Sequence, residues 1–371
     1  MASHWTDYAA RRPASDVLHL DTAAAGRQSS ATLDAVAAHA RREATTGAYI
    51  AEEQAAPVLD RLRADVAALL GVPASGVAFV ESASAARAAL LAAWRPARGS
   101  RIAVVTSEWG PNLEAFARAS LQPDFLATDP AGLVDLPALE RRLADDPPHL
   151  VHLTQVASHR GLVQPVREAA VLCRAAGVQL WVDAAQALGH VDAACGADAV
   201  YATGRKWLTG PRGVGVLAFA ESRWDALEVP RTAMAAPDLP PPAYLESHEA
   251  HVAGRIGLAD AVAELTAAGP AAVFARLAQV GADTRAAVAD VPGWALVGDP
   301  AAPSAITALR PIAGQDVAAT RTRLLAEHRI LTTAEAVARA PREMDEPLLR
   351  ISPHVDCTPD DLGRLARALA S

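Results

Sequence analysis

The chain has 371 residues, 51% of them hydrophobic, which is enough to fill one large α/β domain with a smaller companion and excludes a disordered or fibrous protein. Its formal net charge of -8, without any block of basic residues, lacks the electrostatic footprint of a nucleic-acid binder. No apolar run approaches the roughly 20 residues of a membrane span, so we expect neither membrane nor nucleic acid among its partners.

The first predicted elements are helices. The N-terminal stretch MASHWTDYAARRP lacks the apolar core of a signal peptide, so we expect a cytoplasmic protein. From about residue 29, helical periodicity alternates with short apolar runs, as in βαβ units. The helical stretch SSATLDAVAAHARREA begins with capping hydroxyls, and LDRLRADVAALLG ends at Gly71, a residue type that commonly ends helices.

Short apolar runs predict the strands. They span residues 77–80, 102–106, 150–156, 180–183, 199–202 and 214–219. Most of them are continuously apolar, which is typical of strands covered on both faces. The alternation with helices predicts an α/β fold with a mostly parallel, doubly wound sheet.

The last third of the chain predicts a smaller C-terminal α+β domain. VPRTAMAAPDLPPPA, at residues 229–243, is rich in proline and predicts a loop. The helical stretch HEAHVAGRIGLADAVAELTAAG follows, and the chain closes with LLRIS and the capped helix TPDDLGRLARALA. We therefore predict a large domain over residues 16–258 and a small domain built from residues 1–15 and 259–371.

Lys206 is the only lysine in a chain with 34 basic residues. Arginine can supply surface charge and bind carboxylates, but its guanidinium stays protonated and cannot act as an amine nucleophile. A single retained lysine therefore indicates a task that needs an amine. The alternative is an ordinary surface lysine.

Asp183 ends the apolar run LWVD, at the carboxyl end of a predicted buried strand. Ligand clefts of open α/β sheets lie at that end. A buried carboxylate needs a cationic partner, and a protonated pyridine nitrogen would be one, although an Asp that only caps a backbone amide is the alternative. Lys206 follows in ATGRKWLTGPRGVGVL, in a loop between Gly204 and Gly210.

These stretches resemble the fold-type I pyridoxal 5'-phosphate (PLP) enzymes of the class V aminotransferase and cysteine desulfurase group, over nearly the whole chain. The resemblance implies a PLP-dependent transferase fold, a small amino-acid substrate and a homodimer. It also implies that Lys206 binds the cofactor as a Schiff base and that Asp183 faces the ring nitrogen.

The same resemblance implies further cofactor contacts. VESASAARAAL resembles the phosphate-binding turn, which assigns Ala83 and Ser84, and a helix N-terminus there suits a phosphate. SEWGPN resembles the motif whose ring stacks on the cofactor, although Trp109 stands where desulfurases generally have His. Gln186 and Thr203 match cofactor-binding residues of the family, and Ser158 stands at the position of an Asn near the ring hydroxyl. Arg205 replaces the family's His before the lysine and could bind the phosphate or the substrate.

Substrate contacts follow from the same resemblance. Arg350, in LLRISPHV, occupies the position of the arginine that clamps the substrate carboxylate, and a bidentate guanidinium suits that task. Tyr49, His159 and Gln155 are further candidates for substrate binding. The alternative for Arg350 is a purely structural arginine.

The cysteines decide between reaction types. A desulfurase needs a thiolate on a mobile loop ahead of the carboxylate arginine, but the corresponding segment ILTTAEAVARAPREMDEPLL has none. Cys173, Cys195 and Cys357 lie elsewhere, without metal-ligand or disulfide spacing, so we expect no metal and disfavour persulfide chemistry.

Two stretches, TQVASHRGLVQPV and GRKWLTGPRGVG, resemble the PLP-dependent carbon–sulfur lyases of bacterial ergothioneine biosynthesis. That resemblance implies β-elimination from hercynylcysteine sulfoxide to a sulfenic acid, pyruvate and ammonia. The alternatives are another class V activity, such as a cysteine sulfoxide lyase, desulfurase, epimerase or aminotransferase, and a binding module that has lost catalysis.

Overall fold

The computed structural model describes residues 3–229, 239–247 and 249–371. The helices are α1 (Ser3–Ala10), α2 (Ser30–Thr46), α3 (Ala48–Leu70), α4 (Ala83–Trp94), α5 (Gly110–Arg118), α6 (Leu136–Asp145), α7 (Val166–Ala175), α8 (Val252–Ala268), α9 (Pro270–Val288), α10 (Val317–His328) and α11 (Pro359–Ala370). The strands are β1 (Leu18–His19), β2 (Val77–Val80), β3 (Arg101–Val104), β4 (Gln122–Phe125), β5 (Leu150–Thr154), β6 (Gln179–Asp183), β7 (Ala199–Thr203), β8 (Gly215–Phe219), β9 (Trp294–Val297), β10 (Thr307–Pro311), β11 (Ile330–Leu331), β12 (Thr333–Glu335) and β13 (Leu348–Ile351).

A seven-stranded sheet in the order β2-β8-β7-β6-β5-β3-β4 forms the centre of the molecule. Strands β4, β3, β5, β6 and β7 run parallel to one another, and β8 is antiparallel to both β7 and β2. The predicted mostly parallel α/β sheet is confirmed. All six predicted strands belong to it, and β4 is a seventh that the sequence did not predict.

Both faces of this sheet are covered. Along β6 and β7 successive side chains point to opposite faces, so Val182 and Val200 lie in one core, while Trp181 and Tyr201 lie in the other. Helices α3, α7 and α8 contribute to the first core, and α4 and α5 to the second. This double cover explains why these strands are continuously apolar in sequence.

The C-terminal part contains a second sheet, antiparallel, in the order β12-β13-β10-β9. It has a core of its own with α9, α10 and α11. Near the N-terminus, β1 pairs in parallel with β11 and so joins the start of the chain to this part. The predicted domain boundary at residue 258 falls inside α8, and the division into two domains stays a prediction.

The predicted loop at residues 229–243 lies mostly outside the described residues, because 230–238 are not among them. At its end, the run Pro241–Leu245 forms a 3-10 helix rather than a loop. Within the described ranges, no single helix is long and apolar enough to cross a membrane, and α8 with α9 meets that criterion of length and composition only as a pair bent by 85°.

Candidate active site

A cavity of about 200 Å³ opens at the carboxyl ends of β5, β6 and β7, beside the start of α4. This is the end of the sheet at which open α/β folds bind their ligands. Ten of the residues predicted for the site line it: Ala83, Ser84, Trp109, Ser158, Asp183, Gln186, Thr203, Arg205, Lys206 and Arg350.

Lys206 lies on the short loop that follows β7. The N–H of Gly26 donates to the carbonyl of Arg205 at 2.8 Å, and a Cβ added to Gly26 would come within 2.7 Å of the Thr209 side chain. The absence of a side chain at Gly26 therefore lets the opening loop pack directly on the lysine loop. Burial in the cavity lowers the pKa of Lys206 to about 7; the Asp183 carboxylate opposes this shift, and the charges of Arg205 and Arg350 add to it.

Asp183 ends β6 with its carboxylate buried against the cavity. Its Oδ1 accepts the backbone N–H of Ala185 at 2.9 Å, and its Oδ2 accepts the side-chain amide of Asn112 at 3.0 Å. In the part of the chain that the structure describes, no basic side chain forms an ion pair with it. This carboxylate is thus held in place by two amide donors and can still receive a cation from the cavity.

The first turn of α4 lies at one end of the cavity and suits an anion. Ser82 caps the helix by accepting the N–H of Ala85 at 3.1 Å, and the N–H groups of Ala83 and Ser84, which line the cavity, have no acceptor within the helix. A Cβ on Gly215 would lie only 2.5 Å from the Ser82 backbone, so glycine is required where β8 passes beneath this turn.

Other groups complete the cavity walls. Thr203 adds a hydroxyl, and Arg205 adds a guanidinium that also donates to the carbonyl of Ala24. Trp109 occupies the N-cap position of α5 and contributes an indole to the cavity wall. Gln186 donates to the carbonyl of Ala23 at 2.9 Å, so its amide also anchors the opening loop.

Arg350 is almost fully buried, with 1% of its side chain exposed. Its guanidinium pairs with Asp21 at 3.1 Å and with Glu335, and it donates to the carbonyl of Ser158 at 3.2 Å. Arg339 also pairs with Glu335, and its side chain is 34% exposed at the cavity. The sequence did not single out Arg339, although its spacing from Glu335 is the i,i+4 spacing of helical ion pairs.

Three predicted site residues lie outside this cavity. Gln155 follows Thr154, which faces the cavity, so its side chain leaves on the opposite side of the sheet and donates to the carbonyl of Asp192 at 2.7 Å. His159 is buried against Glu343, with Nε2 and Oε1 2.8 Å apart. Tyr49 lies on α3 and is 78% exposed.

The three cysteines are buried away from the cavity. Burial raises the pKa of Cys173 to about 12 and also raises the pKa of Cys195 and of Cys357. None of them offers a thiolate near Lys206.

The groups that line the cavity fit pyridoxal 5'-phosphate. The first turn of α4, Thr203 and Arg205 suit a phosphate, and Asp183 suits a protonated ring nitrogen. Trp109 offers an aromatic surface for the ring, and Lys206 offers the amine for a Schiff base.

Comparisons with known proteins agree with this fit. The family model described as aminotransferase class-V matches residues 18–365. A probable hercynylcysteine sulfoxide lyase of Mycobacterium tuberculosis is 49% identical over 375 residues, which cover 100% of this chain and 93% of that protein.

Solved structures share the fold. The cysteine desulfurase CsdA of Escherichia coli superposes with a TM-score of 0.84 at 21% identity, over 98% of this chain and 97% of its own. A C-DES variant with glycine covalently linked to its PLP cofactor superposes with a TM-score of 0.82 at 17% identity, over 96% of this chain and 97% of its own.

Proposed function

Because the chain belongs to the aminotransferase class-V family and is therefore a PLP-dependent enzyme, we propose that it is a carbon–sulfur lyase that performs β-elimination on a cysteine S-conjugate sulfoxide. The proposed substrate is hercynylcysteine sulfoxide, the compound in the name of the Mycobacterium tuberculosis relative. With one water, elimination yields a sulfenic acid, pyruvate and ammonia. Conversion of the sulfenic acid to ergothioneine then takes a two-electron reductant from outside the enzyme, such as a small thiol.

One observation carries the choice of reaction: the cavity presents an amine and guanidinium groups but no thiol. Lys206, Arg339 and Arg350 line it, while all three cysteines are buried elsewhere. A persulfide mechanism needs a protein thiolate at the substrate. Direct β-elimination needs only a base for the Cα proton and an anchor for the carboxylate.

The chain's own residues have distinct tasks in this proposal. When bound, PLP supplies an electron sink for the negative charge that develops at the substrate Cα. Lys206 accepts the Cα proton, and a pKa near 7 leaves much of its free amine neutral at physiological pH. Arg350 and Arg339 bind carboxylate and fix the Cα–H bond toward Lys206.

The proposal is tested by incubating the PLP-loaded protein with hercynylcysteine sulfoxide in the absence of an amino acceptor. We expect pyruvate and ammonia in equal amounts, and no product from Lys206→Arg, which keeps the charge but lacks the nucleophile. In a parallel incubation with free cysteine, alanine together with protein-bound persulfide would identify a desulfurase. A racemised amino acid, or turnover that requires a keto-acid acceptor, would identify an epimerase or an aminotransferase.

We also propose that the protein acts as a homodimer through the surface of α2 and α3. This surface exposes four large apolar side chains: Leu33 at 43%, Tyr49 at 78%, Ile50 at 47% and Val58 at 44%. Large apolar side chains exposed on two helices that contact each other are expected at an interaction surface. Light scattering should give twice the chain mass of 38.5 kDa, with Tyr49→Arg weakening the dimer, and a monomer at assay concentration would contradict the proposal.

A further inference from the structure

A string of buried polar groups extends from Asp183 through Asn112, which also lines the cavity, to Glu108 behind it. Asn112, on α5, donates through Nδ2 to Asp183 Oδ2 at 3.0 Å and to Glu108 Oε1 at 2.7 Å. Both side chains that Asn112 joins are carboxylates, and Glu108 and Asn112 are completely buried. The two hydrogens of one amide therefore hold two buried carboxylates together.

The orientation of the Asn112 amide is determined by its neighbours. Its Oδ1 accepts from Arg87, a buried guanidinium on α4. Since carboxylates only accept, the Nδ2 end must face Glu108 and Asp183. The amide cannot reverse without turning its oxygen toward two anions.

Glu108 is itself anchored as a carboxylate. It accepts from the N–H of Trp109 at 2.9 Å, the hydroxyl of Thr154 at 2.6 Å and Nδ1 of His152 at 2.9 Å. Burial alone would raise its pKa, but His152, Thr154 and Asn112 together hold the pKa of Glu108 below its ordinary value. Asn112 is therefore attached to a group that stays anionic and does not move.

We propose that Asn112 is a positioning residue that keeps the shared proton on the cofactor ring nitrogen rather than on Asp183. Each donor to Asp183 stabilises its carboxylate form, and Asn112 supplies one of the two donors in the structure. A carboxylate has about four lone pairs, so two stay available to face the ring N–H. Without Asn112, Asp183 would have one donor and an adjacent anion, and it would take the proton itself.

The test reads the ring nitrogen directly. Apoenzyme is reconstituted with PLP labelled with ¹⁵N in the ring, and the ¹⁵N chemical shift is compared in wild type and Asn112→Leu, a variant of similar volume without the amide. We expect the shift of Asn112→Leu to move toward the unprotonated value, and Asp183→Asn to mark the full extent of that movement. Turnover should fall about 10- to 100-fold, the range seen for residues that hydrogen-bond the ligands of catalytic metals.

Gln164→Met is the matched control. Gln164 is a buried amide with two hydrogen bonds of its own, to Val134 and Gly132, and it does not line the cavity. Its replacement should lower stability without moving the ¹⁵N shift. If Asn112→Leu does not bind PLP, Asn112→Ser replaces it, because a serine hydroxyl cannot reach both carboxylates.

An unchanged ¹⁵N shift in a folded, PLP-loaded Asn112 variant overturns the proposal. An equal movement in Gln164→Met would overturn it as well, because the effect would then be general loosening of the fold. The inference does not depend on the identity of the substrate, so this result and the pyruvate assay can fail independently.

Discussion

At the scale of single residues, the chemistry rests on Lys206 and on how its surroundings alter its basicity. Burial makes the ammonium form costly, and the arginines of the cavity add to that cost. A lysine with an ordinary pKa of 10.5 would be almost entirely protonated at neutral pH. The cavity thus prepares the amine for attack on an aldehyde before the cofactor arrives.

The first prediction concerns pH. Because the pKa of Lys206 is about 7, its neutral fraction falls as pH drops through that value, and PLP incorporation into apoenzyme should slow over the same range. Stopped-flow absorbance measures the rate, and N-acetyl-lysine treated identically reports the titration of PLP alone. A midpoint near 10.5 after this correction would show that the cavity does not perturb the amine.

Arg350 has two roles that can be separated. Arg350→Ala should raise KM strongly, because the substrate carboxylate loses its anchor, and should cost about 3–5 kcal/mol of stability, because it leaves buried Glu335 without one partner. The double variant Arg350→Ala with Glu335→Ala removes the stranded charge and should recover part of the stability. Its KM should stay high. Recovery of KM together with the melting temperature would mean that Arg350 is only structural.

At the scale of elements, the sequence predicted most of the central sheet but not its edge. Strands such as β5 are continuous apolar runs, whereas β4 reads QPDF, is mostly exposed and pairs only with β3. A short polar edge strand with a proline has no sequence pattern that distinguishes it from a loop. Helix α3 begins at Ala48, well before its predicted start, because Pro57 and a weak apolar stripe concealed its first half.

The candidate site likewise contains residues that the sequence predicts and residues that it does not. Asp183 and Lys206 were predictable because Asp183 is the last residue of a buried strand and Lys206 lies in the loop just after the next one, at the end of the sheet where ligands bind. Gln155 was misplaced because the sequence does not tell which face a residue takes just past a strand end. The pairs Glu108–Asn112 and Glu335–Arg339 have local i,i+4 spacing, but only tertiary packing brings Asn112 to Asp183 and Arg339 to the cavity.

The 3-10 helix Val337–Arg339 packs closely on α5 at Gly110. A Cβ at Gly110 would collide with the backbone oxygen of Ala338 and come within 3.2 Å of Pro341. Gly110→Ala should therefore push Arg339 away from the cavity and raise KM at least about tenfold, since small displacements of binding groups are costly. Gly363→Ala, in α11 against one flexible arginine, is the control and should leave KM unchanged. An unchanged KM for Gly110→Ala in steady-state assays would remove Arg339 from substrate binding.

At the scale of the whole molecule, the cavity lies where the two parts of the chain meet. The central sheet provides Asp183 and Lys206, while the C-terminal sheet provides Arg350 from β13 and Thr333 from β12. The bond between Arg350 and the Ser158 carbonyl joins the two parts directly. The groups that we assign to the cofactor thus come from the part with the central sheet, and Arg350, which we assign to the substrate carboxylate, comes from the C-terminal sheet.

The cysteines connect this architecture to the reaction. Cys173 lies on α7, Cys195 in the segment after β6, and Cys357 just before α11. Each of them is buried in a hydrophobic core. Their replacement should cost stability through lost packing, by amounts typical of small buried side chains, without touching the cavity.

The most direct test of the account is the variant Cys173→Ala, Cys195→Ala, Cys357→Ser, assayed for pyruvate release from hercynylcysteine sulfoxide beside wild type. A β-elimination that uses only Lys206 and the cofactor predicts that most of the activity survives at temperatures where the variant is folded. Loss of pyruvate formation in a folded, PLP-loaded variant, or protein-bound persulfide and alanine when the wild type is given free cysteine, would contradict the lyase and favour a desulfurase.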